Sequence, residues 1–371
     1  MEYKLKECIE KIIDNRGKNP HYYTKEKYPV IDNVLIKNTL YPNMNEVSRY
    51  IDKETYDDFL RGHLEKDIPI MTLVGSGIGN VSLAPSENVA IVQNTIGFKP
   101  KKEILNGTYL YYWFLIKQNE LLKFNRGSGQ PSIKKTDIEE MKINLPNIKI
   151  QNKVVKILLC IDKKIELNNQ INNNLHELGL TLIKKYINQA NNLIELNRVI
   201  NFIKGKKPAV ISEKKIENNK KYLTIACLNG QEMNYANTDK MIISNNDLLM
   251  VMDGASSGDI YYSDSGVVGS TLAKVDILDD NYGKGYIYFF IKRYANLIKS
   301  KNTGSAIPHT DKIFVGNLLI LEIDINKQKK FDILLNKIQQ MQKENEMLIK
   351  LRDTLLPKLM NGEIDLEKIK I

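Results

Sequence analysis

Apolar residues recur at steps of three and four along residues 152–186, which is the spacing of a helix with one apolar face. The segment contains no proline, and its single glycine is Gly179. We therefore predict one long helix. About 35 residues at 1.5 Å each span roughly 50 Å, more than a helix needs to cross the core of a compact domain. The apolar positions are Val154, Ile157, Ile161, Ile171, Leu175, Leu178 and Leu182.

The pattern of this helix returns near the end of the chain. A shift of 177 positions carries Gln151 to Gln328 and Asn168 to Asn345. It carries the apolar positions to Phe331, Leu334, Ile338, Leu348, Arg352, Leu355 and Leu359. Only Arg352 departs from the apolar pattern. Upstream, the same shift relates Gly127, Ser128 and Pro131 to Gly304, Ser305 and Pro308. A constant offset over this distance indicates an internal duplication.

Short runs rich in β-branched and aromatic residues precede each long helix and predict strands. They lie at 30–36, 68–74 and 89–98 in the first half and at 222–227, 247–252 and 267–275 in the second, with helical patterns at 109–124 and 286–300. We predict an α+β fold in which two tandem strand-rich domains are joined by two long antiparallel helices, related by an internal pseudo-two-fold axis. The predicted boundaries are 1–150 for the first domain, 151–190 for the central helix, 191–326 for the second domain, and 327–371 for the C-terminal helix and tail.

Positive charge favours a polyanionic partner. The chain carries 54 Lys and Arg against 44 Asp and Glu, a formal net charge of +10. Each cation set against a phosphate releases counterions, so nucleic acid is the favoured partner class. Lys, Asn and Ile are also abundant throughout, and an AT-rich coding bias would produce part of the same surplus.

The sequence has the features of a cytoplasmic protein without a membrane partner. No apolar run approaches the roughly 20 residues of a membrane span. Residues 1–15 alternate charged and apolar positions and lack a signal-peptide core. The three cysteines, Cys8, Cys160 and Cys227, are odd in number and lack C-x-x-C spacing, so neither a disulfide framework nor a zinc site is indicated.

Three patterns resemble catalytic or cofactor motifs, and each lacks a required part. Residues 75–79 (Gly-Ser-Gly-Ile-Gly) follow a predicted strand as a phosphate-binding loop does, but no helical pattern follows and the copy at 254–258 lacks the middle glycine. Residues 19–22 (Asn-Pro-His-Tyr) are similar to the Asn-Pro-Pro-Tyr tetrad of adenine methyltransferases, but no glycine-rich cofactor strand precedes them. The histidines His21, His63, His176 and His309 are scattered along the chain. We predict no catalytic residues and no metal site.

Two motifs identify a family that the chain resembles. The first is residues 127–133 (Gly-Ser-Gly-Gln-Pro-Ser-Ile), followed by Leu145-Pro146 and by Gln151 at the start of the long helix. The second is residues 351–364 (Leu-Arg-Asp-Thr-Leu-Leu-Pro-Lys-Leu-Met-Asn-Gly-Glu-Ile), which resembles the C-terminal conserved region of specificity subunits of type I restriction-modification enzymes. The first helix runs on without the Pro-Lys-Leu part of that ending, which leaves its exact end open. The resemblance spans essentially the whole chain.

The resemblance implies a DNA sequence-recognition subunit without catalysis of its own. In that family each of two target-recognition domains reads one half of a bipartite, asymmetric target, while the helices set the spacing and dock methyltransferase subunits. The implied partners are double-stranded DNA, two methyltransferase subunits and restriction subunits. S-adenosylmethionine, ATP and magnesium are expected on those subunits, with no cofactor on this chain. Two alternatives stay open: a coiled-coil adaptor that binds protein but not DNA, and a stand-alone DNA methyltransferase.

We expect DNA contact on loops that combine basic or amide side chains with glycine, at 16–19, 75–80, 126–135, 204–207, 253–258 and 302–312. The candidate contacts in the first domain are Arg16, Lys18, Asn19, Ser76, Asn80, Arg126, Ser128, Gln130, Lys134 and Lys135. Those in the second domain are Lys204, Lys206, Lys207, Ser256, Ser257, Thr303, Ser305, His309 and Lys312. Antiparallel pairing of the helices sets Asn168 opposite Asn345, where a hydrogen bond between the two amides would fix the register. The alternative is that both asparagines face solvent and match only through the duplication.

Overall fold

The computed structural model describes residues 1–127, 129–187, 192–304 and 306–367. Two predicted contact residues, Ser128 and Ser305, lie outside the described residues. The chain forms two compact units, one made of Met1–Lys164 with Leu348–Ile371 and the other of Ile165–Met347. Each unit contains a part of both long helices, whereas the boundaries predicted from the sequence assign the helices to segments of their own. Those boundaries stay a prediction.

The first half of the chain contains short strands, three short helices, a ten-residue helix and the first long helix. The strands are β1 (Glu2–Lys4), β2 (Ile9–Ile13), β3 (Tyr28–Pro29), β4 (Tyr50–Ile51), β5 (Pro69–Thr72), β6 (Val81–Leu83), β7 (Thr95–Pro100) and β8 (Lys142–Asn144). The helices are α1 (Leu5–Cys8), α2 (Gly107–Ile116), α3 (Gln118–Lys123), α4 (Lys135–Glu139) and α5 (Ile148–Ile187). Single 3₁₀ turns lie at Asn33–Leu35 and Met44–Glu46, and a π turn lies at Thr55–Phe59.

An antiparallel sheet in the order β2, β7, β5, β6 forms the centre of the first unit. Helix α2 packs against β5, β6 and β7. Its sequence, Gly-Thr-Tyr-Leu-Tyr-Tyr-Trp-Phe-Leu-Ile, is apolar around the whole circumference, as expected for a helix buried in a core. The Asn106 side chain caps it by accepting a hydrogen bond from the Tyr109 N–H at 3.1 Å. The tyrosines of α2 therefore lie inside the unit and leave the loops at its surface to carry function.

The second half of the chain repeats this order with one additional sheet. Its strands are β9 (Leu193–Glu195), β10 (Ile200–Lys204), β11 (Ile211–Ser212), β12 (Asn219–Leu223), β13 (Tyr235–Asn237), β14 (Ile243–Ser244), β15 (Leu248–Val251), β16 (Ile260–Tyr262), β17 (Gly266–Val268), β18 (Leu272–Ile277) and β19 (Leu319–Leu321). Its helices are α6 (Ile225–Leu228), α7 (Lys284–Arg293), α8 (Ala295–Ser300), α9 (Lys312–Gly316) and α10 (Ile325–Met360). A 3₁₀ turn lies at Leu196–Arg198.

The central sheet of the second unit has the order β10, β18, β15, β16, which matches the first sheet strand for strand. The five-stranded sheet β11, β13, β12, β17, β14 is the additional one, and β12 and β17 run parallel in it. Most of it comes from the segment between β10 and β15. In the first unit the corresponding segment holds the 3₁₀ and π turns and the β3–β4 pair. The two units thus share a scaffold and differ in what is inserted into it.

The duplication is exact at the hydrogen bonds of Gln151 and Gln328. Both side chains are buried, and each makes three hydrogen bonds of 2.8–3.0 Å to the main chain, two donated by Nε2 and one accepted by Oε1. The partners of Gln151 are the carbonyls of Ile104 and Pro146 and the N–H of Asn106. The partners of Gln328 are the carbonyls of Asn281 and Ile323 and the N–H of Gly283. We call this arrangement the glutamine clamp; it ties the start of each long helix to the domain before it.

The long helices run antiparallel within each unit, as the fold prediction requires. In the first unit Asp162 of α5 contacts Arg352 of α10, and Lys153 contacts the carbonyl of Leu366. In the second unit Asn168 contacts Asn345, and the ring of Tyr186 packs on Phe331 with centroids 6.0 Å apart. Numbers rise along one helix as they fall along the other.

Gly179 makes room for an aromatic ring in the second unit. A Cβ atom at this position would lie 2.2 Å from the Cε1 atom of Phe289, so any larger residue would displace the ring. This contact explains the single glycine within the predicted helix, where glycine is otherwise unfavourable.

Several short elements differ from the sequence-based expectation. Residues 30–36 form a bridge and a 3₁₀ turn instead of a strand, and the strand expected at 89–98 begins only at Thr95. Each expected helix of the domains is broken in two, at Lys117 and at Tyr294. Pro357 lies inside α10, which continues to Met360.

Candidate nucleic-acid interface

Two of the predicted loops of the first unit meet through main-chain hydrogen bonds. The N–H of Gly75 donates to the Pro131 carbonyl at 2.9 Å, and the N–H of Ile133 donates to the Leu73 carbonyl at 2.9 Å. Gly75 has a φ of +92°, a conformation that glycine adopts at little cost. In the third loop, 16–19, Arg16 lowers the pKa of the Asp14 carboxyl, with a smaller effect of Lys135.

The candidate side chains of the first unit differ in exposure and in whether they contact another side chain. Asn19, Ser76, Gln130 and Lys134 are exposed, and Lys18 and Lys135 are half-buried. Lys18 lies over the Phe59 ring with Nζ 4.8 Å from the centroid. Arg126 is exposed while its Nη2 donates to Asp137 at 2.8 Å.

Two candidates in the first unit are held by neighbouring groups. Arg16 forms a two-point ion pair with Asp14, at 2.6 and 2.8 Å, and this pairing lowers the pKa of Asp14 and raises that of Arg16. Asn80 donates to the Ile36 carbonyl at 3.0 Å and accepts from Asn38 at 3.2 Å. Asn80 is therefore occupied in holding its loop.

An aromatic and basic cluster next to these loops was missed in the sequence. Tyr22 and Tyr23 are 55% and 37% exposed, and the Arg49 guanidinium lies 4.7 Å from the Tyr23 ring centroid. Arg49 also pairs with Asp32, and the next residue, Asn33, donates to the Ser76 carbonyl at 3.3 Å. The only indication in the sequence was the paired tyrosine after Asn19-Pro20, because Arg49 comes from a segment without a motif. Aromatic faces beside cations are common in nucleic-acid sites.

In the second unit all three predicted loops meet at Asp253. Its Oδ2 accepts from Lys204 at 2.9 Å and its Oδ1 from His309 Nδ1 at 2.8 Å. The N–H of Gly254 donates to the Pro308 carbonyl at 3.0 Å, which repeats the Gly75–Pro131 bond of the first unit. Burial alone would raise the pKa of Asp253, but the hydrogen bonds from His309 and Lys204 hold it below its usual value.

The remaining candidates of the second unit also divide by exposure. Lys206, Lys207, Thr303 and Lys312 are exposed, and Ser256 is half-buried. Ser257 is fully buried, and its hydroxyl donates to the carbonyls of Gly254 and Pro308 at 2.7 and 2.8 Å. Ser257 therefore supports the loop from inside, and the exposed lysines form the basic part of this surface.

Asn168 and Asn345 are brought together in the second unit. Both are buried, and the Nδ2 of Asn168 donates to the Oδ1 of Asn345 at 2.9 Å and to Glu344 at 2.9 Å. The Nδ2 of Asn345 donates to Asn169 at 2.8 Å. A polar network thus lies inside the apolar contact between the two helices.

The part of the chain that the structure describes contains no candidate metal cluster. These residues contain no group of three or more His, Cys, Asp or Glu side chains able to hold a metal ion. A surface cavity of about 520 Å³ beside β10 is lined by asparagine and apolar side chains together with Lys312. None of the helices in the described residues combines the length and the hydropathy that a membrane span requires.

Comparison with known proteins finds a family match in the first half of the chain. Residues 1–177 match the family described as type I restriction modification DNA specificity domain. The specificity subunit of the type I restriction enzyme MjaVIII from Methanocaldococcus jannaschii is 32% identical over 178 residues, 45% of this chain and 41% of that protein. The HindI specificity subunit from Haemophilus influenzae is 26% identical over 106 residues, 27% of this chain and 23% of that protein. The matched segments thus cover less than half of these relatives.

The fold extends the likeness to the whole chain. The crystal structure of a type I restriction-modification system S subunit from M. genitalium has a TM-score of 0.62 with this chain at 17% identity, covering 97% of this chain and 95% of that one. The chain therefore shares its fold with that S subunit. The predicted resemblance to type I specificity subunits is confirmed.

Proposed function

We propose that this chain is the DNA sequence-recognition subunit of a type I restriction-modification complex, in which each loop surface reads one half of a bipartite, asymmetric target. One observation carries the proposal. The same main-chain hydrogen bond, from Gly75 to Pro131 and from Gly254 to Pro308, builds the same loop platform twice. The side chains on the two platforms differ: Gln130 corresponds to Ile307 and Ser132 to His309. Like scaffolds with unlike loops suit two different target sequences.

The charges on these loops suit a DNA backbone. Lys134 lies exposed on the first platform, and Lys206 and Lys207 lie exposed on the second. Lysines of this kind set the affinity for phosphates, while amide and imidazole side chains such as Gln130 and His309 discriminate bases. A net charge of +10 adds a sequence-independent attraction.

The chain acts in this proposal without catalysis of its own. Its partners are double-stranded DNA, two methyltransferase subunits and restriction subunits, and its site of action is the cytoplasm. S-adenosylmethionine, ATP and magnesium bind to the partner subunits. The long helices set the gap between the half-targets and dock the methyltransferase subunits, and the lengths of α5 and α10 support the role as a spacer.

Selection from a random-sequence duplex pool by the full chain tests the proposal. We expect enrichment of two short sequences at a fixed gap. Gln130→Ala should change one half-sequence and His309→Ala the other. Lys207→Ala should weaken binding to all sequences and flatten the salt slope by about one unit, whereas Lys337→Ala on α10 should do neither.

The adaptor alternative predicts a different result. A chain that binds only protein would enrich no sequence and would give no salt-dependent shift of a DNA duplex. That result would overturn the proposed function.

A further inference from the structure

His309 is held in one orientation by contacts on three sides. Its main chain pairs with Thr303, with N···O distances of 2.9 and 2.7 Å. Its Nδ1 lies 2.8 Å from Asp253 Oδ1. Its ring rests on Gly304, where an added Cβ would come within 2.9 Å of the imidazole Cδ2. The side chain is nevertheless 50% exposed, so a fixed ring faces the surrounding solution.

The partner of Nδ1 determines the tautomer of the ring. An ionised carboxylate only accepts hydrogen bonds, so Nδ1 must carry the proton that it donates to Asp253. Lys204 donates to the second carboxylate oxygen at 2.9 Å and favours the ionised form. In the neutral ring, Nε2 is then a hydrogen-bond acceptor. The charged groups that contact this ring, directly or through the shared carboxylate, are Asp253 and Lys204 in the described residues.

The first unit does not contain this arrangement at the corresponding positions. The counterpart of His309 is Ser132, and the counterpart of Asp253 in the same bridge is Val74. The scaffold therefore does not require an aspartate here, since the first platform is built without one. The Asp253–His309 pair is therefore one of the features that distinguish the loops of the second unit from those of the first.

We propose that Asp253 is a positioning residue that fixes His309 as a hydrogen-bond acceptor toward DNA, so that the second unit selects adenine or cytosine at one position on one strand. This inference rests on the proposed function. In the major groove, adenine N6 and cytosine N4 are amino donors, whereas guanine O6 and thymine O4 are acceptors. A fixed acceptor at one strand position accordingly distinguishes amino bases from keto bases.

Asp253→Asn should turn His309 Nε2 from a hydrogen-bond acceptor into a donor, while the side chain at 253 keeps nearly the same shape. Lys204 donates to one side of the group at 253, which holds the introduced amide oxygen toward Lys204 and turns its NH₂ toward His309. Nδ1 must then accept, and the proton moves to Nε2. The same reasoning explains why a change from aspartate to asparagine gives the wrong histidine tautomer in catalytic triads. The variant should prefer guanine or thymine at the position where the wild type prefers adenine or cytosine.

The test is selection from random-sequence duplex DNA by the full chain. Wild type should favour amino bases at one position of one half-sequence by at least about fivefold, the lower end of the cost of one mismatched base pair. Asp253→Asn should reverse this preference, His309→Ala should abolish it at the same position, and Asp253→Glu should retain its direction. Ser132→Ala is the matched control in the first unit and should leave the position unchanged.

The outcomes separate the two proposals. If wild type enriches no sequence, the proposed function fails and the inference with it. If the wild type enriches a bipartite target but the position that depends on His309 is guanine or thymine, only the inference fails. The inference alone also fails if a folded Asp253→Asn protein keeps the wild-type preference. Unchanged preferences at the other positions of the second half-sequence show that the second unit of the variant is folded. Should Asp253→Asn not fold, the base lost in His309→Ala still decides between amino and keto.

Discussion

Arg352 interrupts the apolar pattern of α10 because it neutralises a buried carboxylate. Its Nη1 lies 3.1 Å from Asp162 Oδ1, and Tyr112 donates to the other oxygen at 2.7 Å. Asp162 is only 4% exposed. The corresponding positions of the second unit, after the shift of 177, are filled by Leu175, Gln339 and Phe289. The three positions thus hold a buried ion pair with a tyrosine in one copy and three uncharged side chains in the other.

Arg352→Leu should destabilise the first unit by about 3–5 kcal/mol, because it leaves a buried carboxylate without its cation. Urea unfolding measures the loss. The triple variant Tyr112→Phe, Asp162→Gln and Arg352→Leu installs the residues of the second unit and should recover most of the stability, since it removes both charges together. Equal stability of the single variant and the wild type would show that the ion pair is not needed.

His176 gives the second unit a pH dependence. Burial, with a smaller effect of Lys292, lowers its pKa from 6.5 to about 4, and its ring packs on Tyr288 and Phe289. The unfolded chain therefore takes up this proton at a higher pH than the folded chain does. The contribution of neutral His176 to the free energy of unfolding is fully present above about pH 6.5. It is lost as the pH falls toward 4.

The melting temperature of wild type should fall between pH 7 and pH 5 by more than that of His176→Gln. Both proteins contain the same carboxylates, so the difference between their slopes isolates the histidine. Parallel slopes would contradict a depressed pKa at this position.

At the scale of elements, the long helices were predictable and the short strands were not. Residues 152–186 were predicted and Ile148–Ile187 observed, because a period of 3.6 repeated over many turns is a strong local pattern. Strands such as Ile211–Ser212 and Ile243–Ser244 have two residues and no alternation to detect. They form because distant segments supply their partners, and such pairing leaves no mark on the local sequence.

The candidate interface shows the same division. Glycine and proline indicated where the loops lie, and two loops of the first unit and all three of the second do come together. Which side chains stay available depends on partners from elsewhere in the chain, as with Ile36 for Asn80 and Pro308 for Ser257. The Asp253 network was missed because Lys204, Asp253 and His309 have no common sequence motif.

The asparagine pair should reduce stability while fixing the register of α5 against α10. Asn168→Leu with Asn345→Leu should raise the melting temperature, because the buried amides give way to apolar contact, and it should loosen the spacing of selected half-sequences. Either change alone should lower the melting temperature, because it leaves a buried amide without its partner. Thermal unfolding and duplex selection measure the two effects, and a less stable double variant would contradict the proposed role.

At the scale of the whole molecule, the paired helices are proposed to act as a ruler. One heptad inserted after Lys164 and one after Met347, at the bounds of the two units, keeps the apolar stripe in phase. It adds about 10 Å of helix, or roughly three base pairs at 3.4 Å each. Both half-sequences should survive and only the gap between them should lengthen.

A five-residue insertion at the same points is the control for the ruler. It rotates the stripe by roughly 140° at 100° per residue and should disrupt the pairing. Sequencing of methylated sites in cells that carry each variant with the methyltransferase subunit measures the gap. An active heptad variant with an unchanged gap would show that the helices do not set it.

The pairing of Asp162 with a residue 190 positions later also has a consequence in time. A ribosome adds about 5–20 residues per second, so roughly 10–40 s pass between the two residues. During that interval the carboxylate has no guanidinium, and Val154 and Leu158 lack Leu356 and Leu359, with which they share a core. All of Ile165–Met347 is synthesised meanwhile. The unit whose synthesis starts first is therefore completed last.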